Sequence, residues 1–193
     1  MSNEAIKKNF LDQAGFFLKK KFKIIIILLI VGFICFSGFL FYKNLSEKKN
    51  IKISEQYTQA SILVMQKKIK ESKILLVSIV NKDHKFYSPL ALYLIIDNNI
   101  ESDTSKIINL FNRILKNKLI DQENLNLIKI KKAIHLINID KEKLIVETLN
   151  PIINSNSVWK NTAINLITEY FLSKNQGIKA QEYFKLLNKK SKK

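Results

Sequence analysis

With 193 residues, 33 Lys and Arg against 16 Asp and Glu, and a single cysteine, the chain is strongly basic and cannot form an internal disulfide. Four glycines and two prolines are too few for the tight turns of an all-β fold or for a glycine-rich phosphate loop. The net charge of +17 does not argue for nucleic acid: Arg113 is the one arginine, whereas bidentate phosphate and base recognition favour arginine, and Ile, Lys and Asn supply 83 of the 193 residues, a bias that AT-rich coding imposes on any protein.

Residues 1–23 read as a short cytoplasmic tail with Ile6, Phe10, Ala14 and Phe17 at helical spacing, an amphipathic face suited to a bilayer surface. Residues 24–42 contain no charge, and nineteen residues of helix rise about 28 Å, close to the hydrocarbon thickness of a membrane. Lys19, Lys20, Lys21 and Lys23 precede the run as they would in a secretory signal, but signal cores usually stop at roughly 7 to 15 residues. The best cleavage residues, Cys35 and Ser37, are followed by still more apolar chain, and Phe33 and Ile34 stand where lipoprotein processing needs small residues before Cys35. A retained transmembrane helix is therefore expected. Six lysines before Ile24 against Lys43, Lys48, Lys49 and Lys52 after the span place the N-terminus in the cytoplasm and the remainder across the membrane, with Tyr42 and Lys43 at the far interface. Cys35 lies inside the span, so the exported part has no thiol chemistry.

Residues 43–53 form a charged stalk without Gly or Pro. From 54 to 189 apolar residues recur at three and four, with polar breaks every dozen or so positions, which predicts an all-α domain of short antiparallel helices; 190–193 are a basic tail. The helices expected are 54–67, 71–82, 88–98, 103–116, 121–138, 141–150, 157–174 and 177–188. Ser88 with Pro89, Asp103 and Asp121 carry helix-start chemistry, and Pro151 begins a bend or an added turn. Four helix pairs at roughly 34 residues per unit match the spacing of a tetratricopeptide array. Ser72, Ile107, Ile145 and Ala180 repeat at one phase of the second helices, each followed four residues on by Leu76, Phe111, Leu149 and Phe184. A helix pair buries its apolar face only against neighbours, so the array is one domain.

No catalytic, cofactor-binding or metal-ligating residue is identified. His84, beside Asp83 and Lys85 in an interhelix turn, and His135, within a helix, lack a Cys or second His at ligand spacing. Asp140 and Glu142 read as an acidic helix start rather than an acid–base pair. Tyr57, Phe86, Tyr87, Tyr93, Phe111, Tyr170, Phe171, Tyr183 and Phe184 are assigned to core packing. Trp159, heading a helix after the polar 154–157, is the one aromatic singled out for partner binding.

Two segments carry a family resemblance. One runs from Thr148 and Pro151 through Val158, Trp159 and Lys160 to Ala163 and the final unit up to Leu187. The other is Phe86, Tyr87, Ser88, Pro89, Leu90 and Ala91. Together with the short cytoplasmic tail, one span and four degenerate repeats, the chain resembles the ancillary SecYEG translocon subunit family of bacterial inner membranes. Lysine stands for arginine almost throughout, and alanine-rich faces have become Ile and Leu. The resemblance implies a non-catalytic accessory that associates with SecYEG translocon subunits and displays a periplasmic scaffold to chaperones, including a membrane-bound prolyl isomerase, with no nucleic-acid partner and no cofactor. An envelope scaffold for cell division or outer-membrane assembly is the competing expectation. The oligomeric state is left open.

Overall fold

The computed structural model describes the backbone of residues 3–188 and the side chains from Ile24 to Leu187, apart from positions 25 and 28. The amphipathic face expected at Ile6, Phe10, Ala14 and Phe17 and the tail 190–193 lie outside the described side chains. Among the described residues all regular structure is helical, in the order α1 (Asn3–Met65), α2 (Ile69–Val80), α3 (Tyr87–Asp97), α4 (Thr104–Leu115), α5 (Gln122–Asn138), α6 (Glu142–Ile153), α7 (Lys160–Ser173) and α8 (Gly177–Asn188). The chain divides into two compact units, Met1–Lys52 and Ile53–Lys193.

In the first unit, α1 carries an apolar run long enough to cross a membrane near the N-terminus, and the described side chains of that run are exposed along its whole length, from Ile24 to Tyr42. No charged residue interrupts 24–42. Immediately after it Lys43 and Glu47 form an exposed i,i+4 pair at 3.9 Å.

The second unit begins within α1, where Ile53 and Ala60 are buried and Tyr57 and Val64 pack beside them. Each later helix turns one apolar stripe inward: Ser72, Leu76, Ile79 and Val80 on α2, Ile107, Phe111 and Ile114 on α4, and Ile145, Thr148, Leu149, Ile152 and Ile153 on α6. Helix α5 is different because it is apolar on two sides. Ile128 joins a core cluster built from the end of α1 through α4, while Ile130, Ala133 and Leu136 join a second cluster built with α6, α7 and α8. Residues two apart on a helix point about 200° away from each other, so α5 is a partition between two cores.

The four phased positions Ser72, Ile107, Ile145 and Ala180 are all buried, as are Leu76, Phe111 and Leu149. Phe184, the fourth of the second set, is 51 % exposed, because no described helix follows α8 to cover it. Its assignment to the core is therefore corrected, as is that of Phe86, which lies in a loop at 59 % exposure.

One turn geometry recurs inside each helix pair. Lys67, Asn99, Asp140 and Asn175 have φ between 50° and 57°. At each, the next residue's N–H reaches back to the carbonyl of Leu63, Ile95, Leu136 or Phe171, and the residue's own N–H to Val64, Ile96, Ile137 or Leu172, the double bond of a Schellman cap. Glycine would fill this left-handed position without strain, but the chain past the span has only Gly177. Lys67 lacks the short polar side chain by which Asn and Asp tolerate this conformation, so Lys67→Gly is expected to stabilise the protein by about 0.5–1 kcal/mol in urea unfolding. An unchanged or lowered midpoint would contradict this account of the turn.

Helix starts follow local chemistry with one correction. Asp103 accepts the N–H of Ser105 at 2.9 Å and of Lys106 at 3.3 Å, and Asp121 accepts that of Asn124 at 3.0 Å. Ser88 is not a cap. Helix α3 begins one residue earlier, at Tyr87, because His84 Nδ1 accepts the N–H groups of Phe86 and Tyr87, both at 3.1 Å. Ser88 is buried, and its Oγ donates to the Ile79 carbonyl at 2.8 Å while accepting the His84 N–H at 2.9 Å, which ties α3 to α2. Pro151 lies inside α6, which runs on to Ile153, and α7 starts at Lys160, after a turn at Ser157–Trp159.

Candidate functional site

The titratable residues singled out from the sequence serve structural contacts. Asp140 accepts the Tyr170 hydroxyl at 2.8 Å and pairs with Lys174 at 2.8 Å; Glu142 pairs with Lys179 at 2.7 Å and accepts from Gln176 at 3.3 Å. These bonds hold both carboxyls below their ordinary range, first through the lysine bonds and then through Tyr170 or Gln176. Burial and then Asp140 push the Tyr170 phenol up to about 12. His135 is half-buried with its ring centroid 6.3 Å from that of Phe111, and burial lowers its pKa. Trp159 is half-buried against the second core cluster. Among the described residues, no three His, Cys, Asp or Glu gather as a metal-ligand set.

His84 is a pH-sensitive cap. Its Nδ1 must be unprotonated to accept two N–H groups, and burial, followed by the Lys85 charge, lowers its pKa below 6.5. The unfolded chain therefore binds more protons across this window, so the cap's contribution is complete above about pH 6.5 and is lost as the pH falls through the folded value. His84→Asn, which keeps an acceptor that does not titrate, is expected to shrink the stability difference between pH 7.5 and 5.5 in urea titrations, leaving the part due to His135. An unaltered difference would show that His84 does not contribute.

A second constellation lies where three connecting loops meet. The loops before α3, α5 and α7 are joined by hydrogen bonds into one continuous edge of the second unit. Arg113 Nε and Nη2 donate to the two Asp83 oxygens at 2.9 and 2.7 Å, and Nη2 also reaches the Asn81 carbonyl at 2.8 Å. Asn117 Nδ2 donates to the Asp83 carbonyl at 2.6 Å, linking the first loop to the second. At the far end Glu123 Oε2 accepts the Ser157 hydroxyl at 2.7 Å and the Val158 N–H at 3.3 Å, linking the start of α5 to the third loop. The chain's one arginine thus stands where a planar fork is required.

Each loop exposes one large apolar side chain: Phe86 at 59 %, Leu119 at 71 % and Val158 at 78 %. They are 33 and 39 positions apart, the length of one helix pair. Between α5 and the third loop is a cavity of about 330 Å³, lined by Gln122, Glu123, Asn126, Lys129, Asn156 and Ser157 among others. Asn126 is 3 % exposed and accepts from Gln122 Nε2 at 3.0 Å and Lys129 Nζ at 3.5 Å through Oδ1. Lysine can only donate, so this fixes the amide orientation and turns Nδ2 away from both partners. Sequence reasoning missed this edge. Its visible trace is an apolar residue inside an otherwise polar loop, repeated once per helix pair.

No protein-family model, curated protein or solved structure matches the chain.

Proposed function

We propose that the protein is a membrane-anchored interaction scaffold, held in a bacterial inner membrane by residues 24–42, with its N-terminus in the cytoplasm and Ile53–Lys193 in the periplasm. The second unit is read as a degenerate tetratricopeptide-like solenoid of four helix pairs that works by shape and not by chemistry. One observation carries this reading: bonds between neighbouring pairs recur at the repeat length. Tyr170 to Asp140, Asn117 to Asp83, Ser157 to Glu123, Gln176 to Glu142 and Lys179 to Glu142 span 30, 34, 34, 34 and 37 positions. The conserved phase of buried residues on the second helices and the four like turns point the same way. The resemblance of 86–91 and 148–187 to the ancillary SecYEG translocon subunits makes translocon subunits and periplasmic chaperones the proposed partners.

A phosphatase reporter fused after Lys193 is expected to be active, and photocrosslinkers placed near Cys35 and in the second unit are expected to recover translocon subunits and a periplasmic chaperone respectively. A reporter active only in the cytoplasm would sink the topology. Crosslinks to neither partner class would sink the export role.

A further inference from the structure

We infer that the edge formed by the loops before α3, α5 and α7 is a docking surface for an extended acidic polypeptide segment bearing periodic apolar side chains. The inference rests on the scaffold reading in that a partner segment is held, but not on which compartment the unit occupies.

Charge selects the occupant. Lys85, Lys116 and Lys118 are exposed on the first two loops, and Lys160 and Lys129 flank the third. The acidic groups of the edge are already engaged: Asp83 by Arg113, Asp121 by the first turn of α5, and Glu123 by the Ser157 hydroxyl and the Val158 N–H. Asp83 and Asp121 stay partly open to solvent, but these five lysines and Arg113 outnumber the three carboxylates, so the edge is basic on balance. A partner with carboxylates is attracted and a basic one repelled.

Apolar contact supplies the second element. Phe86, Leu119 and Val158 project from loops that polar bonds hold in place and are mostly exposed, Phe86 resting against the Tyr87 ring at 5.2 Å between centroids. Helices α5 and α7 pack directly on each other, which puts the second and third loops about 8–10 Å apart. An extended chain rises about 3.3 Å per residue, so apolar side chains three positions apart would meet Leu119 and Val158 together. The cavity beside the third loop is lined by Asn126 and Glu123, whose amide and carboxylate have the two chemistries that complement a peptide group. A polyphosphate chain would use the lysines alone and leave the three apolar side chains and the acceptor unmatched.

The test uses the full chain in detergent micelles and a fluorescein-labelled amide of four Leu-Glu-Asp triplets, read by anisotropy. Saturable binding is expected. It should weaken about tenfold or more in the Phe86→Ser, Leu119→Ser, Val158→Ser triple variant, whose exposed positions leave the helical circular dichroism and melting unchanged. It should also weaken as salt rises from about 50 to about 300 mM, and less steeply so in a Lys85→Gln, Lys116→Gln, Lys118→Gln variant. Equal binding by the triple serine variant overturns the inference. So does equal binding of a Ser-Glu-Asp peptide or of an oligothymidylate, which would reduce the edge to a polyanion surface, and so does the absence of saturable binding. If peptide binding fails while crosslinks elsewhere on the second unit still recover a partner, this surface is rejected and the scaffold reading stands; if no partner is crosslinked either, both fall.

Discussion

Phe111→Ala is expected to destabilise the second unit by about 3–5 kcal/mol and to lower its melting temperature by roughly 10 °C or more. Phe111 is completely buried on α4, in the cluster that α1 through α4 share with the start of α5, so truncation removes a full aromatic ring and leaves a cavity. The distribution of the damage is as informative as its size. Helix α5 divides the interior into two clusters, and in a linear array each pair is stabilised by itself and by its neighbours only. Native-state hydrogen exchange is therefore expected to show lost protection in α2, α3 and α4, with α7 and α8 nearly unchanged. Phe171→Ala, which empties the second cluster, should do the reverse. If either variant lowers protection evenly from α2 to α8, the unit is a single cooperative body and the array reading is wrong.

The parts of this fold that depend on nearest neighbours along the chain were legible in the sequence. Apolar spacing located the helices of the second unit to within a few residues, and Asp103 and Asp121 marked two starts because a carboxylate reaches N–H groups only two or three residues ahead. Ser88 has the same chemistry but a different partner: its hydroxyl bonds to the Ile79 carbonyl nine positions back, and the cap falls to His84, whose residue type gives no such signal. The Schellman turns were hidden because Lys, Asn and Asp occupy positions where glycine would have announced them. The loop edge was hidden for a further reason. That Phe86 is exposed and Phe111 buried follows from which helices lie beside them, and the Arg113–Asp83 and Ser157–Glu123 bonds join residues 30 and 34 positions apart that no local pattern pairs.

Placing two carboxylates in the middle of the apolar run should detach the protein from the membrane. Phe33 and Phe36 lie near the centre of 24–42 and are 71 % and 60 % exposed, so neither has a role in packing within the first unit. At mid-bilayer a Phe contributes favourably by a few tenths of a kcal/mol and an Asp costs about 2.5–3.5 kcal/mol, so Phe33→Asp with Phe36→Asp shifts insertion by roughly 6 kcal/mol. That is about four factors of ten in the partition, enough to turn a span into a helix that does not insert. The core of the second unit begins at Ile53, outside the altered segment, so its helical signal should persist. The expected outcome is that the wild-type chain stays in the pellet after alkaline extraction of membranes whereas the double variant is released, and that a phosphatase fused after Lys193 falls silent. Val31→Leu with Ile34→Leu, which preserves apolarity, should change neither readout. Should the aspartate variant remain in the extracted pellet, residues 24–42 are not what holds the protein in the bilayer. The lysine asymmetry across that segment would then carry no information about which side the helical unit faces.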